Sequence, residues 1–163
     1  MPELDEKEQA SPLAWGLFLA YCGVMLWLLF GREGCSLEGS SYWEVLPRNL
    51  NLRPFYTIGT CFRLLAPGRS PHLISYAAVN LYGNVLVFVP WGFFLPRFWK
   101  RQRALGWFLL TTAGTVAAVE LAQLFSLRGS CDVDDLILNL LGGALGFTLF
   151  WLWRRAAGRA AKK

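Results

Sequence analysis

Four runs of apolar residues, each long enough to cross a lipid bilayer, constrain this chain more than any other feature. They cover about 13–30, 72–95, 104–125 and 135–153. At a helical rise of 1.5 Å per residue, even the 18-residue first run spans about 27 Å, the thickness of a hydrocarbon core. In hydrocarbon every backbone N–H and C=O must be satisfied within its own segment, so the runs predict helices. The expected class is all-α: one polytopic membrane domain over residues 1–163, a bundle of about four transmembrane helices. Membrane lipids are its first partners. The net charge is +5, but basic residues in such a chain report topology before ligand. Nothing resembles a zinc finger, a phosphate loop or an aromatic–basic repeat, so a nucleic-acid partner is not expected.

The segments between the runs supply orientation. Residues 1–12 form a short acidic tail, and Gly31-Arg32-Glu33 is not a small-residue cleavage site, so the first run is expected to be a retained helix. The 31–71 loop is the one long polar segment. Within it an extended stretch is expected to turn at Pro54 into a short amphipathic segment with Ile58, Phe62, Leu64 and Leu65 on a membrane surface. The 1–12 tail, the 96–103 loop and the basic 154–163 tail lie on one side and hold ten Lys/Arg; the other side holds six. The positive-inside rule then puts both termini in the cytoplasm. The pairs Gly142/Gly146, Ala113/Ala117 and Gly114/Ala118 are spaced for close helix approach. Packing within one bundle is favoured, and a homodimer is the alternative.

Polar residues inside the apolar runs carry the functional signal, because they are costly in hydrocarbon. Asn80 and Asn84 stand in the second run, Glu120 and Gln123 in the third, and Asp135 and Asn139 begin the fourth. Each pair is three or four residues apart and presents one face. With four spans, Asn80 lies about 12 Å and Glu120 about 8 Å below the same outer surface. Asp132, Asp134 and Asp135 crowd that threshold. One Asp suffices for a helix N-cap, and three beside Glu120 exceed that need. The cluster invites a cation: Mg²⁺ or another divalent ion on Asp132, Asp134 and Asp135, an amine, Arg128, or Arg53 or Arg48 of the loop. The two loop arginines are equally suited to a phosphate.

These residues resemble the VanZ-like family. The likeness rests on Arg53-Pro54-Phe55, on Asn80-Leu81-x-Gly83-Asn84-x3-Phe88-x-Pro90-x-Gly92-x3-Pro96, on Glu120-x2-Gln123, and on Asp132-Val133-Asp134-Asp135-Leu136-Ile137-Leu138-Asn139-x2-Gly142-x3-Gly146. It implies a bacterial multi-spanning membrane protein, some of whose relatives confer low-level resistance to the glycopeptide teicoplanin. It does not supply a mechanism. The long cysteine-bearing loop departs from the family pattern.

Three functions compete. The first is a binding protein, not an enzyme, whose outer-leaflet cavity takes an amphiphile, a lipid-linked wall precursor or a lipoglycopeptide. Its ligand-binding residues would be Arg53, Asn80, Asn84, Glu120, Gln123, Arg128, Asp132, Asp134, Asp135 and Asn139. The second is a Mg²⁺-dependent enzyme acting on lipid-linked phosphates. The third is a carrier that uses Glu120 as a proton site, for which four spans are few. Of the cysteines, Cys22 is read as a packing residue. Cys35, Cys61 and Cys131 fall on the outer side, where one disulfide among them is compatible with an oxidising compartment. His72 is read as an interfacial residue.

Overall fold

The computed structural model describes residues 11–31, 39 and 41–160. The four expected spans are helices: α1 (Pro12–Phe30), α4 (Pro71–Phe98), α5 (Leu105–Phe125) and α6 (Val133–Ala160). All four are long and apolar enough to cross a membrane. Two shorter helices precede α4: α2 (Tyr42–Val45) and α3 (Tyr56–Leu64).

Two spans run further than the hydropathy pattern indicates. Helix α4 continues through Pro90 and Pro96 to Phe98. Each proline removes one ladder hydrogen bond, and tight packing tolerates the loss: Pro96 is fully buried, and Arg103 Nε donates to its carbonyl (3.0 Å). Helix α6 takes in most of the expected basic tail, because Arg and Ala are strong helix formers. At 28 residues each, α4 and α6 are about 42 Å long.

The α4–α6 pair forms the most extensive interface in the molecule. Its cause is the absence of side chains. A Cβ at Gly92 would lie 2.0 Å from the Gly143 carbonyl oxygen, one at Gly142 2.0 Å from that of Val85, and one at Gly146 1.9 Å from that of Val89. Only glycine permits backbones this close, and close approach is what drives helix association where lipid is as apolar as the side chains. The Gly142/Gly146 pair is therefore used within one chain. Gly114 meets nothing within 4 Å.

Helix α5 packs its every-fourth-residue face, Phe108, Thr112, Val116, Glu120 and Leu124, into the bundle. Helix α1 joins through Phe18, in one cluster with Phe98, Phe108 and Phe147, and through Tyr21, whose hydroxyl donates to the Val87 carbonyl (2.7 Å). Beneath the opposite end lies α3, whose Cys61 packs with Ala77, Leu81 and Leu138. The expected extended stretch before it is a 3-10 turn (Leu46–Asn49) and a two-residue strand, β1 (Leu50–Asn51). Strand β1 pairs in parallel with β2 (Cys131–Asp132), Leu50 opposite Cys131 and Asn51 opposite Asp132. This small ladder ties the long loop to the start of α6.

The thiols of Cys61 and Cys131 are free, so the disulfide anticipated among the outer cysteines does not join these two. Cys35 lies outside the described residues.

Candidate functional site

Helix α6 begins at the carboxylates, and the first two of them organise backbone. Asp132 stands just before the helix, and its Oδ1 accepts the Asp134 N–H (2.8 Å), an N-cap. Its Oδ2 accepts from Thr57 Oγ1 (2.5 Å) and Asn51 Nδ2 (3.0 Å). The carboxylate thereby locks the loop ladder to α6.

Asp134, with none of its surface exposed, sits at two helix N-termini at once. It lies in the first turn of α6, and its Oδ1 accepts the Phe55 N–H (2.5 Å) while Oδ2 accepts the Ile58 N–H (3.0 Å). Both are unsatisfied donors at the start of α3, and both helix dipoles favour the negative charge. Phe55, the cap residue of α3, has φ of 62°. That left-handed conformation costs a non-glycine residue about 1–2 kcal/mol. The Asp134 carboxylate holds it there.

The other carboxylates face the bundle. Glu120 Oε2 accepts the Asp132 N–H (3.1 Å). Asp135 accepts a hydrogen bond from Asn84 Nδ2, which also lies 3.5 Å from Asn80 Oδ1. Asn139 is 3% exposed, and its Oδ1 is buried with no hydrogen-bond partner. One turn further along α6, Gly143 faces Phe108 and Thr112 of α5, and at the start of α6 Glu120 of α5 meets the Asp132 N–H. Asn139 lies between those two levels, one turn from Asp135. Helices α4, α5 and α6 thus share a polar seam of Asn80, Asn84, Glu120, Asp135 and Asn139. Among the described residues, no Lys or Arg is paired with any of its carboxylates.

Three sequence-derived candidates lie elsewhere. Gln123 Nε2 donates to the Leu29 carbonyl (2.8 Å) and Arg128 Nη1 to the Phe30 carbonyl (2.6 Å). Both satisfy open carbonyls at the C-terminal end of α1, where a cation also complements the dipole. Arg53 is exposed, and its own N–H donates to Asn51 Oδ1 (3.2 Å). Two contributors went unnoticed in the sequence: Asn51 and Thr57, polar loop residues with no motif around them.

Among the described residues, no group of three or more His, Cys, Asp or Glu converges for an ion. Asp132 and Asp134 each use both carboxylate oxygens on protein donors.

The VanZ/LLP1 family matches residues 18–154. Protein VanZ of Enterococcus faecium is 29% identical over 141 residues, 86% of this chain and 74% of that protein. No solved structure matches. Every part of the seam and of the carboxylate end lies within the matched residues, and the chain is a multi-pass membrane protein that belongs to the VanZ/LLP1 family.

Proposed function

We propose that the protein binds the polar head of a membrane amphiphile in the seam formed by Asn84, Glu120, Asp135 and Asn139. The observation that carries this reading is the Asn139 Oδ1. A buried carbonyl oxygen without a donor costs about 1–3 kcal/mol, and this one stands one turn along α6 from the Asp135 carboxylate. The free capacity of the seam is for accepting hydrogen bonds, so a donor-bearing head fits, above all an ammonium. The ten-to-six distribution of Lys/Arg supports an inner-membrane orientation with both termini in the cytoplasm. The seam then opens to the outer leaflet, where wall precursors and glycopeptides are met. Teicoplanin, an acylated and amine-bearing glycopeptide, has the matching chemistry. Retention there would account for the lowered susceptibility that the family resemblance implies.

The test is equilibrium binding of teicoplanin and of a long-chain alkylammonium to the purified protein in lipid nanodiscs. Glu120→Gln and Asp135→Asn are expected to weaken both by tenfold or more, a loss of about 1.4 kcal/mol, with helicity unchanged. Asn139→Leu is expected to weaken binding equally while raising stability by about 1 kcal/mol, since it deletes a buried unsatisfied group. Equal affinity in all four proteins would overturn the reading.

A further inference from the structure

Helix α3 turns toward the bundle much of the face that its sequence offers to a membrane. Ile58, Leu64 and Leu65 pack against the cluster of Cys61, Ala77, Leu81 and Leu138. The outward side is apolar as well. Phe62 is exposed on it, and so are Tyr56 at the helix start and Leu52 and Phe55 just before. Exposed apolar groups gathered on one short segment mark a contact surface. Phe55 adds a second sign. Its backbone is left-handed, a conformation that glycine adopts freely and phenylalanine does not. The strain is kept at a residue that is 66% exposed. Strain held in place by the surrounding structure points to a use for the side chain it presents.

Depth says what covers this surface. Helices α4 and α6 run parallel: Leu81 packs with Leu138, Gly142 lies against Val85 and Gly146 against Val89. Further along the pair, the Arg97 guanidinium lies 4.4 Å from the Trp153 ring centre. Together with Trp99 and Trp151 this level has the aromatic and basic character of a membrane interface. Ala77 precedes Arg97 by 20 residues of α4, about 30 Å of helix, which is the thickness of the hydrocarbon core. Cys61 of α3 packs at the level of Ala77 and Leu81. Helix α3 therefore lies at the other edge of the hydrocarbon. Charge agrees with that place. Residues 45–79 contain Arg48, Arg53, Arg63 and Arg69 and no acidic residue. Arg63 Nη2 donates to Thr60 Oγ1 (3.0 Å), whereas Arg53 is exposed beside Pro54 and Phe55.

We infer that the outward face of α3 is seated in the phospholipid leaflet at the carboxylate end, with Phe55, Tyr56 and Phe62 below the headgroups and Arg53 at the level of the lipid phosphates. An interfacial helix places its apolar face about 5–10 Å into that boundary. The Asp134 carboxylate, by fixing the Phe55 backbone, also fixes the aromatic edge that enters the leaflet. This contact requires no ligand in the seam and is the same for either orientation of the chain.

The experiment is a spin-label depth measurement on the full chain in vesicles of phosphatidylglycerol and phosphatidylcholine. Cys22, Cys35, Cys61 and Cys131 are replaced by Ala, and a nitroxide is attached in turn at Phe62→Cys, Tyr56→Cys, Arg53→Cys and Ser70→Cys. Ser70 is the reference in water. It is exposed, its side chain makes no cap bond, and it stands about 10 Å beyond Ala77 along α4. Oxygen concentrates in hydrocarbon and a nickel chelate in water. The ratio of oxygen to chelate collisions is expected to be at least fivefold higher at 56 and 62 than at 70, with 53 between them. Each labelled protein is checked for unchanged helicity. Chelate access at 56 and 62 equal to that at 70 would put the face in water and overturn the inference. Low collision with both reagents at 56 and 62 would overturn it too, because protein, such as a second copy of the chain, would then cover the face.

Discussion

Gly146→Val is expected to part α4 from α6 and to cost about 3 kcal/mol, the upper part of the usual range for overpacking. The new Cβ would lie 1.9 Å from the Val89 carbonyl oxygen, and backbone cannot rotate aside as a side chain can. Gly92 and Gly142 are equally tight, so relief at one position requires movement at all three. The interface that fails is the most extensive in the protein. Gly114→Val is the internal control: nothing lies within 4 Å of the added carbon, and the change should stay within about 0.5 kcal/mol of neutral, as for a surface substitution. Resistance to denaturation by SDS, followed by circular dichroism, distinguishes the two. Equal loss for both would mean that helix propensity, not helix approach, governs these glycines.

Asp134→Ala is expected to release α3 from the bundle. It strands the Phe55 and Ile58 N–H groups and removes the acceptor that holds Phe55 at positive φ. Two hydrogen bonds to a buried charge are at stake, so the loss should reach about 3 kcal/mol. Asp134→Asn retains one acceptor oxygen and should lose about half as much. Hydrogen exchange reads the effect directly: amides of 58–65 should lose protection in Asp134→Ala while those of α4 keep it. Protection unchanged in α3 would mean that Cys61, Ile58 and Leu64 alone secure the helix through their apolar contacts. Neither outcome depends on any ligand, which separates this structural carboxylate from Glu120 and Asp135.

That separation shows what side-chain pattern conveys and what it does not. The four spans were legible because length and hydropathy are local properties. That polar faces of α4 and α6 lie at the same depth was legible from their spacing; that Asn84 donates to Asp135 was not, because spacing along one helix does not fix its rotation against another. The different duties of three neighbouring aspartates were not. Asp132, Asp134 and Asp135 look alike in sequence, but helix α6 begins between the first and the others and aims them at different partners. Gln123 and Arg128 likewise read as site residues, yet their partners are backbone carbonyls 94 and 98 residues away. A carbonyl at a helix end leaves no mark in the side-chain code. The two-residue ladder of Leu50–Asn51 with Cys131–Asp132 was equally invisible, since neither strand is long enough to show alternation.

In the proposed orientation the carboxylate end opens to the outer leaflet, and Cys131 tests this most directly. This thiol is part-exposed and adjoins Asp132. Burial, and then the charges of Glu120, Asp132 and Asp135, hold its pKa above the ordinary thiol value, so labelling belongs at raised pH. With Cys131 as the only cysteine, intact cells are treated with a membrane-impermeant thiol reagent. Labelling before lysis is the predicted result and places Asp132–Asp135 on the face where wall precursors and glycopeptides arrive. Labelling only after lysis would put that end in the cytoplasm and contradict the account.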